Sequence, residues 1–204
     1  DVRNFVRYVL SENRGSNIRT LLAPDSQMVL SQDGRQVRVG SFPVGLDTGG
    51  FGRLARRAAQ SSFVREVVES LGGRTLLIGV DRLDYTKGLI QRIEAFDLFF
   101  SGHPDWCGKV TYLQITPKSR SEIPEYSELE QALGAVAGRI NGRFGEASWT
   151  PIRYVNRAHS RSALAGLYRS ARVGVVTPLR DGMNLLAKEY FAAQDPNHPG
   201  VLIL

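Results

Sequence analysis

The sequence of 204 residues lacks the usual marks of a secreted or membrane protein. Its one cysteine, Cys107, cannot form an internal disulfide. No apolar run reaches the roughly 18 residues that a membrane-spanning helix needs, and no segment has the pattern of a signal peptide. We therefore expect a cytoplasmic protein.

The sequence also has no segment in which residues of one charge sign are concentrated. Lys and Arg outnumber Asp and Glu by 26 to 20, giving a net charge of +6, but the basic residues are scattered along the chain. This distribution favours an ordinary basic surface over nucleic-acid binding and is compatible with small phosphorylated ligands.

Several common site motifs are missing. Neither GxGxxG nor GxxxxGK[ST] occurs, so any phosphate must be bound by side chains and by other loops. His103, His198 and Cys107 do not have the spacing of metal ligands, and no GxSxG nucleophile motif is present.

What the sequence does contain is a regular alternation of short apolar strands and helices after Gly73. Because strands with continuous apolar runs are typical of sheets covered on both faces, the pattern predicts an α/β fold with a Rossmann-like parallel sheet. The predicted strands are 75–80, 109–115, 152–155, 173–177 and 201–204, and the predicted helices are 89–100, 126–140, 161–170 and 184–193.

Before Gly73 the pattern differs. It predicts a helix over 1–12 and a hairpin over 28–39 that turns at Asp33-Gly34. We assign 1–46 to the tail of a preceding domain, 47–72 to a connector helix and 73–204 to a truncated C-terminal domain. Because the chain starts in a helical pattern and stops on an apolar run, we expect further residues on both sides.

Ligands of such sheets bind beyond the carboxyl ends of the strands, so the loops there hold the candidate residues. In the first loop, Arg82 and Lys87 flank a turn before a helix and could bind a diphosphate. Surface ion pairs of both cations with Asp81 and Asp84 are an equally good interpretation.

The loop after the fourth strand carries the most informative residues. Asn184 is a good N-cap, which predicts free amide donors at Leu185, Leu186 and Ala187. Asp181 and Glu189 could accept hydrogen bonds from a sugar and a ribose, respectively. The alternative is a capping Asp and a surface Glu paired with Lys188 or Arg180.

Three further positions are weaker candidates. Gly182 would permit close backbone approach of a ligand. Arg120, after the second strand, could reach a second anionic group, although a solvated arginine is the favoured interpretation. His159, after the third strand, could equally be a surface residue.

Four strings in order, VDRLDYTKG, QITPKSR, AGRINGRFG and VTPLRDGMNLLAKEY, resemble the trehalose-6-phosphate synthase family, glycosyltransferase family 20. The resemblance implies the C-terminal half of a two-domain GT-B transferase. It places Arg82 and Lys87 on the donor diphosphate, Asp181 on the transferred glucose and Arg120 on the acceptor phosphate. The remaining donor contacts it implies are His159 at the base, Glu189 at the ribose, and Gly182, Met183, Asn184, Leu185, Leu186, Ala187 and Lys188.

The implied reaction is a retaining transfer of glucose from UDP-glucose, or another nucleoside diphosphate glucose, to glucose 6-phosphate. The resemblance implies no metal or other cofactor, and a homo-oligomer at full length. We expect this chain alone to be inactive. A transferase that uses another acceptor and a non-catalytic module that binds a sugar nucleotide remain alternatives.

Overall fold

The computed structural model describes residues 7–8, 11–12, 19–22, 28–32, 35–40, 44–117 and 124–204. The chain forms two compact units, Asp1–Gly45 and Leu46–Leu204. The first unit contains a three-stranded antiparallel sheet in the order β1-β2-β3, with strands β1 (Arg19–Leu22), β2 (Met28–Gln32) and β3 (Arg35–Val39).

The predicted hairpin is confirmed by the β2–β3 pair, in which Gln32 lies opposite Arg35. Its turn residues, 33 and 34, lie outside the described residues. Of the helix predicted over 1–12, only residues 7–8 and 11–12 are described, and these are helical.

The second unit is a parallel sheet of five strands in the order β6-β5-β4-β7-β8, which confirms the predicted α/β fold. Its strands are β4 (Thr75–Val80), β5 (Val110–Ile115), β6 (Ile152–Val155), β7 (Val173–Val175) and β8 (Val201–Ile203). Its helices are α1 (Thr48–Ala58), α2 (Ser62–Glu69), α3 (Leu89–Gly102), α4 (Pro124–Phe144), α5 (Arg161–Ser170) and α6 (Leu185–Ala193).

The segment predicted as one connector helix over 47–72 is two helices. The Ser61 side chain accepts a hydrogen bond from the Val64 amide at 3.4 Å and caps α2. An N-cap residue has extended backbone angles, so it interrupts a continuous helix. A Cβ on Gly166 of α5 would lie 2.8 Å from the backbone of Ala58, so α1 and α5 pack closely within the second unit.

Two apolar clusters cover the sheet. Helices α1, α2, α5 and α6 contribute to one cluster, which includes Phe51, Val64 and Leu167 around Ile78 of β4. Helices α3 and α4 contribute to the other, which includes Ile93 and Phe100. Within the described residues, no helix is long and apolar enough to span a membrane.

Candidate active site

The site is set by the order of the strands. Strand β5 lies on one side of β4 and β7 lies on the other, so the direction of the strand order reverses beside β4. Open parallel sheets bind ligands beyond the carboxyl ends of the strands at such a point. The loops after β4 and β7 meet there, because the amides of Leu179 and Arg180 donate to the carbonyl of Thr86 at 2.9 and 3.1 Å.

The loop after β4 is shaped by local bonds. The Asp84 carboxylate accepts hydrogen bonds from the amide and hydroxyl of Thr86 at 2.8 and 2.7 Å. Gly88 then has a φ of 62°, and a Cβ there would lie 2.8 Å from the carbonyl oxygen of Thr177. Glycine is therefore required both by the backbone angle and by the approach of the β7 loop. This turn brings Lys87 against that loop.

Lys87 and Asp181 form the closest polar contact across the two loops. The Lys87 Nζ lies 2.6 Å from Asp181 Oδ2, and the two side chains are only 13% and 17% exposed. Asp181 Oδ2 also accepts a hydrogen bond from Asn184 Nδ2 at 3.0 Å. The hydrogen bond from Lys87 is the main cause that lowers the pKa of Asp181. The surface interpretation paired Lys87 with Asp81 or Asp84. The structure shows instead that its partner is Asp181.

The first turn of α6 begins as predicted, with one correction. Asn184 is the N-cap, and its Oδ1 accepts a hydrogen bond from the Ala187 amide at 3.0 Å. The prediction that the Ala187 amide is a free donor is therefore wrong, because an N-cap side chain satisfies an amide of this turn. Of the three predicted amide donors, those of Leu185 and Leu186 stay candidates for binding a phosphate.

A cavity of about 360 Å³ lies between these loops. It brings together most of the residues predicted for the diphosphate and the glucose. The lining includes Arg82, Lys87, Asp181, Met183, Asn184, Leu185 and Leu186. Arg82 is exposed at its rim, so this cation is open to a ligand. The cavity thus combines two cations, one carboxylate and a helix N-terminus, which suits an anionic group that carries a hydroxylated ring.

The residues predicted for the nucleoside are placed separately. Glu189 lies 3.8 Å from Arg161 Nε, and burial raises the pKa of the Glu189 carboxyl despite that cation. The His159 ring packs on Phe63, with 5.2 Å between the ring centroids. Neither His159 nor Glu189 lines the cavity that Lys87 and Asp181 share.

Other predicted residues fall elsewhere. Ala187 and Lys188 line a different cavity, together with Thr48 and Phe191. A Cβ on Gly182 would have no atom within 4 Å, so the fold does not itself require glycine there, and the close approach of a ligand stays a prediction. Arg120 lies outside the described residues. Within the described part of the chain, no group of three or more His, Cys, Asp or Glu residues is placed to hold a metal ion.

Sequence reasoning missed a buried ion pair beneath the cavity. Asp81, interpreted as a surface partner, is 2% exposed and pairs with Arg92 of α3. That interpretation is wrong because the Asp81 side chain lies inside the sheet unit. A signal was present: Arg92 follows Leu89 by three residues and precedes Phe96 by four, so it lies on the apolar stripe of its helix.

The chain is similar to known proteins in sequence and in structure. The sequence profile described as "Glycosyltransferase family 20" matches residues 2–204. A trehalose-6-phosphate synthase from Sinorhizobium fredii is 55% identical over 175 residues, which are 86% of this chain and 38% of that protein.

Solved structures are also similar. One is an alpha,alpha-trehalose-phosphate synthase (UDP-forming) from Burkholderia xenovorans, in complex with glucose-6-phosphate. It superposes with a TM-score of 0.93 and 40% identity, covering 99% of this chain and 44% of that one. The trehalose-6-phosphate enzyme of E. coli, bound with UDP-2-fluoro glucose, has a TM-score of 0.81 and 36% identity, covering 91% and 40%. This chain therefore spans less than half the length of these relatives.

Proposed function

Because the chain belongs to glycosyltransferase family 20, we propose that it carries the donor side of a retaining glucosyltransferase. The donor is a nucleoside diphosphate glucose, with UDP-glucose as the first candidate, and the acceptor is glucose 6-phosphate. The product is α,α-trehalose 6-phosphate. The observation that supports this function most directly is the contact of Lys87 with Asp181 inside a cavity that Arg82 also lines.

We propose that the charges of this cavity divide between the two parts of the donor. Lys87 and Arg82 would bind the diphosphate, where negative charge grows as the bond to the anomeric carbon breaks. The electron pair of that bond goes to the phosphate oxygen. The acceptor oxygen bonds to the anomeric carbon on the same face and gives its proton to the departing phosphate. Asp181 would hold hydroxyls of the glucose, since an ionised carboxylate only accepts hydrogen bonds.

The nucleoside would lie toward Glu189 and His159. The ionised Glu189 carboxylate would accept hydrogen bonds from the ribose, and main-chain atoms at His159 would contact the base. Arg120 stays a predicted contact of the acceptor phosphate. A cytoplasmic location and a homo-oligomer also remain proposals, and the latter is checked by sedimentation of the purified protein.

The test is calorimetric titration of the 204-residue chain with UDP, UDP-glucose, GDP-glucose and ADP-glucose. We expect UDP and UDP-glucose to bind. We expect no glucose transfer when glucose 6-phosphate is added, because the chain spans 38% of the S. fredii relative and the acceptor needs further contacts. Absence of binding by any of these nucleotides would contradict the proposed donor site, and turnover would contradict the proposed division of the substrates.

A further inference from the structure

The strongest unexplained feature is the buried guanidinium of Arg92, on the first turn of α3. Its side chain and that of Asp81 are each 1% exposed, and the two form an ion pair. Burying two charges is expensive unless further hydrogen bonds complete the geometry, so such a pair is weak evidence of a role in stability alone. The additional partners of Arg92 indicate what else it does.

Those partners come from three neighbouring strands. Arg92 Nη1 donates to Asp81, just after β4, and to Gln114 Oε1 of β5 at 3.2 Å. Arg92 Nε donates to the hydroxyl of Thr177, just beyond β7, at 3.0 Å. Its Nη2 reaches the carbonyl oxygen of Lys87 at 3.3 Å. One planar group therefore joins the ends of β4, β5 and β7.

Two of these bonds hold the loops that carry the cavity charges. The Lys87 carbonyl belongs to the residue whose Nζ meets Asp181, and Thr177 begins the segment that leads to Asp181. Asp81 also lines the cavity, and its Oδ1 is buried with no hydrogen-bond partner. The Arg92 side chain therefore contacts both loops and a carboxylate of the cavity lining.

Resting on the proposed function, we infer that Arg92 is a positioning residue, which fixes Lys87 against the donor diphosphate by tying its carbonyl to the β7 loop. Arg92 does not itself touch the donor. Its effect on binding should therefore pass through Lys87. A purely structural arginine would instead affect stability, and its effect on binding would not depend on whether Lys87 is present.

The test is a double-mutant cycle of Arg92→Lys and Lys87→Met, with UDP affinity measured by calorimetry and thermal unfolding measured alongside. Arg92→Lys keeps the positive charge beside Asp81 but cannot reach several partners at once. In the wild-type background we expect Arg92→Lys to weaken UDP binding by about tenfold. That factor corresponds to the loss of one hydrogen bond to a charged group. In the Lys87→Met background we expect less than about a twofold effect, the limit of ordinary additivity.

Arg169→Lys is the matched control. Arg169 also forks onto several partners in the same unit, the carbonyls of Ala193 and Gln194 at 3.2 Å and Asp195 at 2.8 Å, away from the cavity. It should leave UDP affinity unchanged in both backgrounds. If Arg92→Lys does not fold, Thr177→Val replaces it in the cycle, because it removes only the acceptor of Arg92 Nε.

The outcomes separate the two ideas. Equal weakening by Arg92→Lys with and without Lys87, or no weakening at all, would overturn the positioning role and leave the proposed donor site intact. Failure of the wild-type chain to bind UDP would overturn the donor site, and the positioning role with it.

Discussion

The contribution of Lys87 to nucleotide binding can be predicted from its surroundings. Its Nζ lies 2.6 Å from Asp181, and its side chain is 13% exposed. The ammonium group is therefore held at the cavity by an ion pair and by the loop contacts before any ligand arrives. Such a cation gives up little rotamer freedom when a phosphate binds.

From this arrangement we expect Lys87→Met to weaken UDP binding by about 10- to 150-fold. A hydrogen bond to a charged group contributes about 1.5–3 kcal/mol, and each 1.4 kcal/mol is a factor of ten in Kd. The upper part of this range is favoured, because the substitution leaves the Asp181 carboxylate uncompensated beside the incoming diphosphate. The free energy of unfolding should change by less than about 1 kcal/mol, since the ion pair lies at the surface of the unit.

The assay is calorimetric titration of the purified 204-residue chain with UDP at fixed ionic strength. Lys109→Met is the matched control, because Lys109 is exposed and immediately precedes β5. It therefore lies at the amino ends of the strands, whereas the cavity lies at their carboxyl ends. If Lys87→Met and Lys109→Met bind UDP equally well, Lys87 does not contact the diphosphate and its pairing with Asp181 is only a surface ion pair.

Three further outcomes follow from the same cavity. Asp181→Asn should weaken UDP-glucose binding, because it removes a hydrogen-bond acceptor for the glucose hydroxyls. It should leave UDP binding unchanged or make it tighter, because the repulsion between the carboxylate and the diphosphate is lost. Calorimetry with both ligands checks that the two affinities change in these different ways. UDP-glucose affinity should decline as the pH falls from neutrality through the raised pKa of Glu189, since only the ionised carboxylate accepts from both ribose hydroxyls, and Glu189→Gln should flatten that profile. Nucleotide binding should be the same in EDTA and in magnesium, because Arg82 and Lys87 supply the positive charge; a requirement for magnesium would contradict this assignment.

The order of elements was predictable because most residues of each strand in the second unit are apolar. Strands β4 and β6 and helix α5 have the predicted bounds. Two of the errors occur where polar capping decides the local structure. The break before Ser61 and the use of the Ala187 amide by Asn184 both depend on side-chain hydrogen bonds within three residues. Apolar periodicity carries no information about such bonds.

The convergence of Lys87 and Asp181 was predictable from topology alone, since both follow strands of one parallel sheet and such loops share an edge. Which cation pairs with which carboxylate was not predictable. The sequence places Asp81 and Asp84 nearer to Lys87 than Asp181, which is 94 positions away along the chain. The structure instead directs Asp84 to Thr86 and Asp81 to Arg92.

This choice of partners follows from where the side chains lie relative to the sheet. Asp81 directly follows β4 and is buried, so its negative charge needs a buried partner of opposite charge. Arg92 is that partner, because it lies on the buried face of α3. Because Asp81 pairs with Arg92, it is not the carboxylate that pairs with Lys87. The buried pair therefore leaves Asp181 as the carboxylate that Lys87 contacts at the cavity.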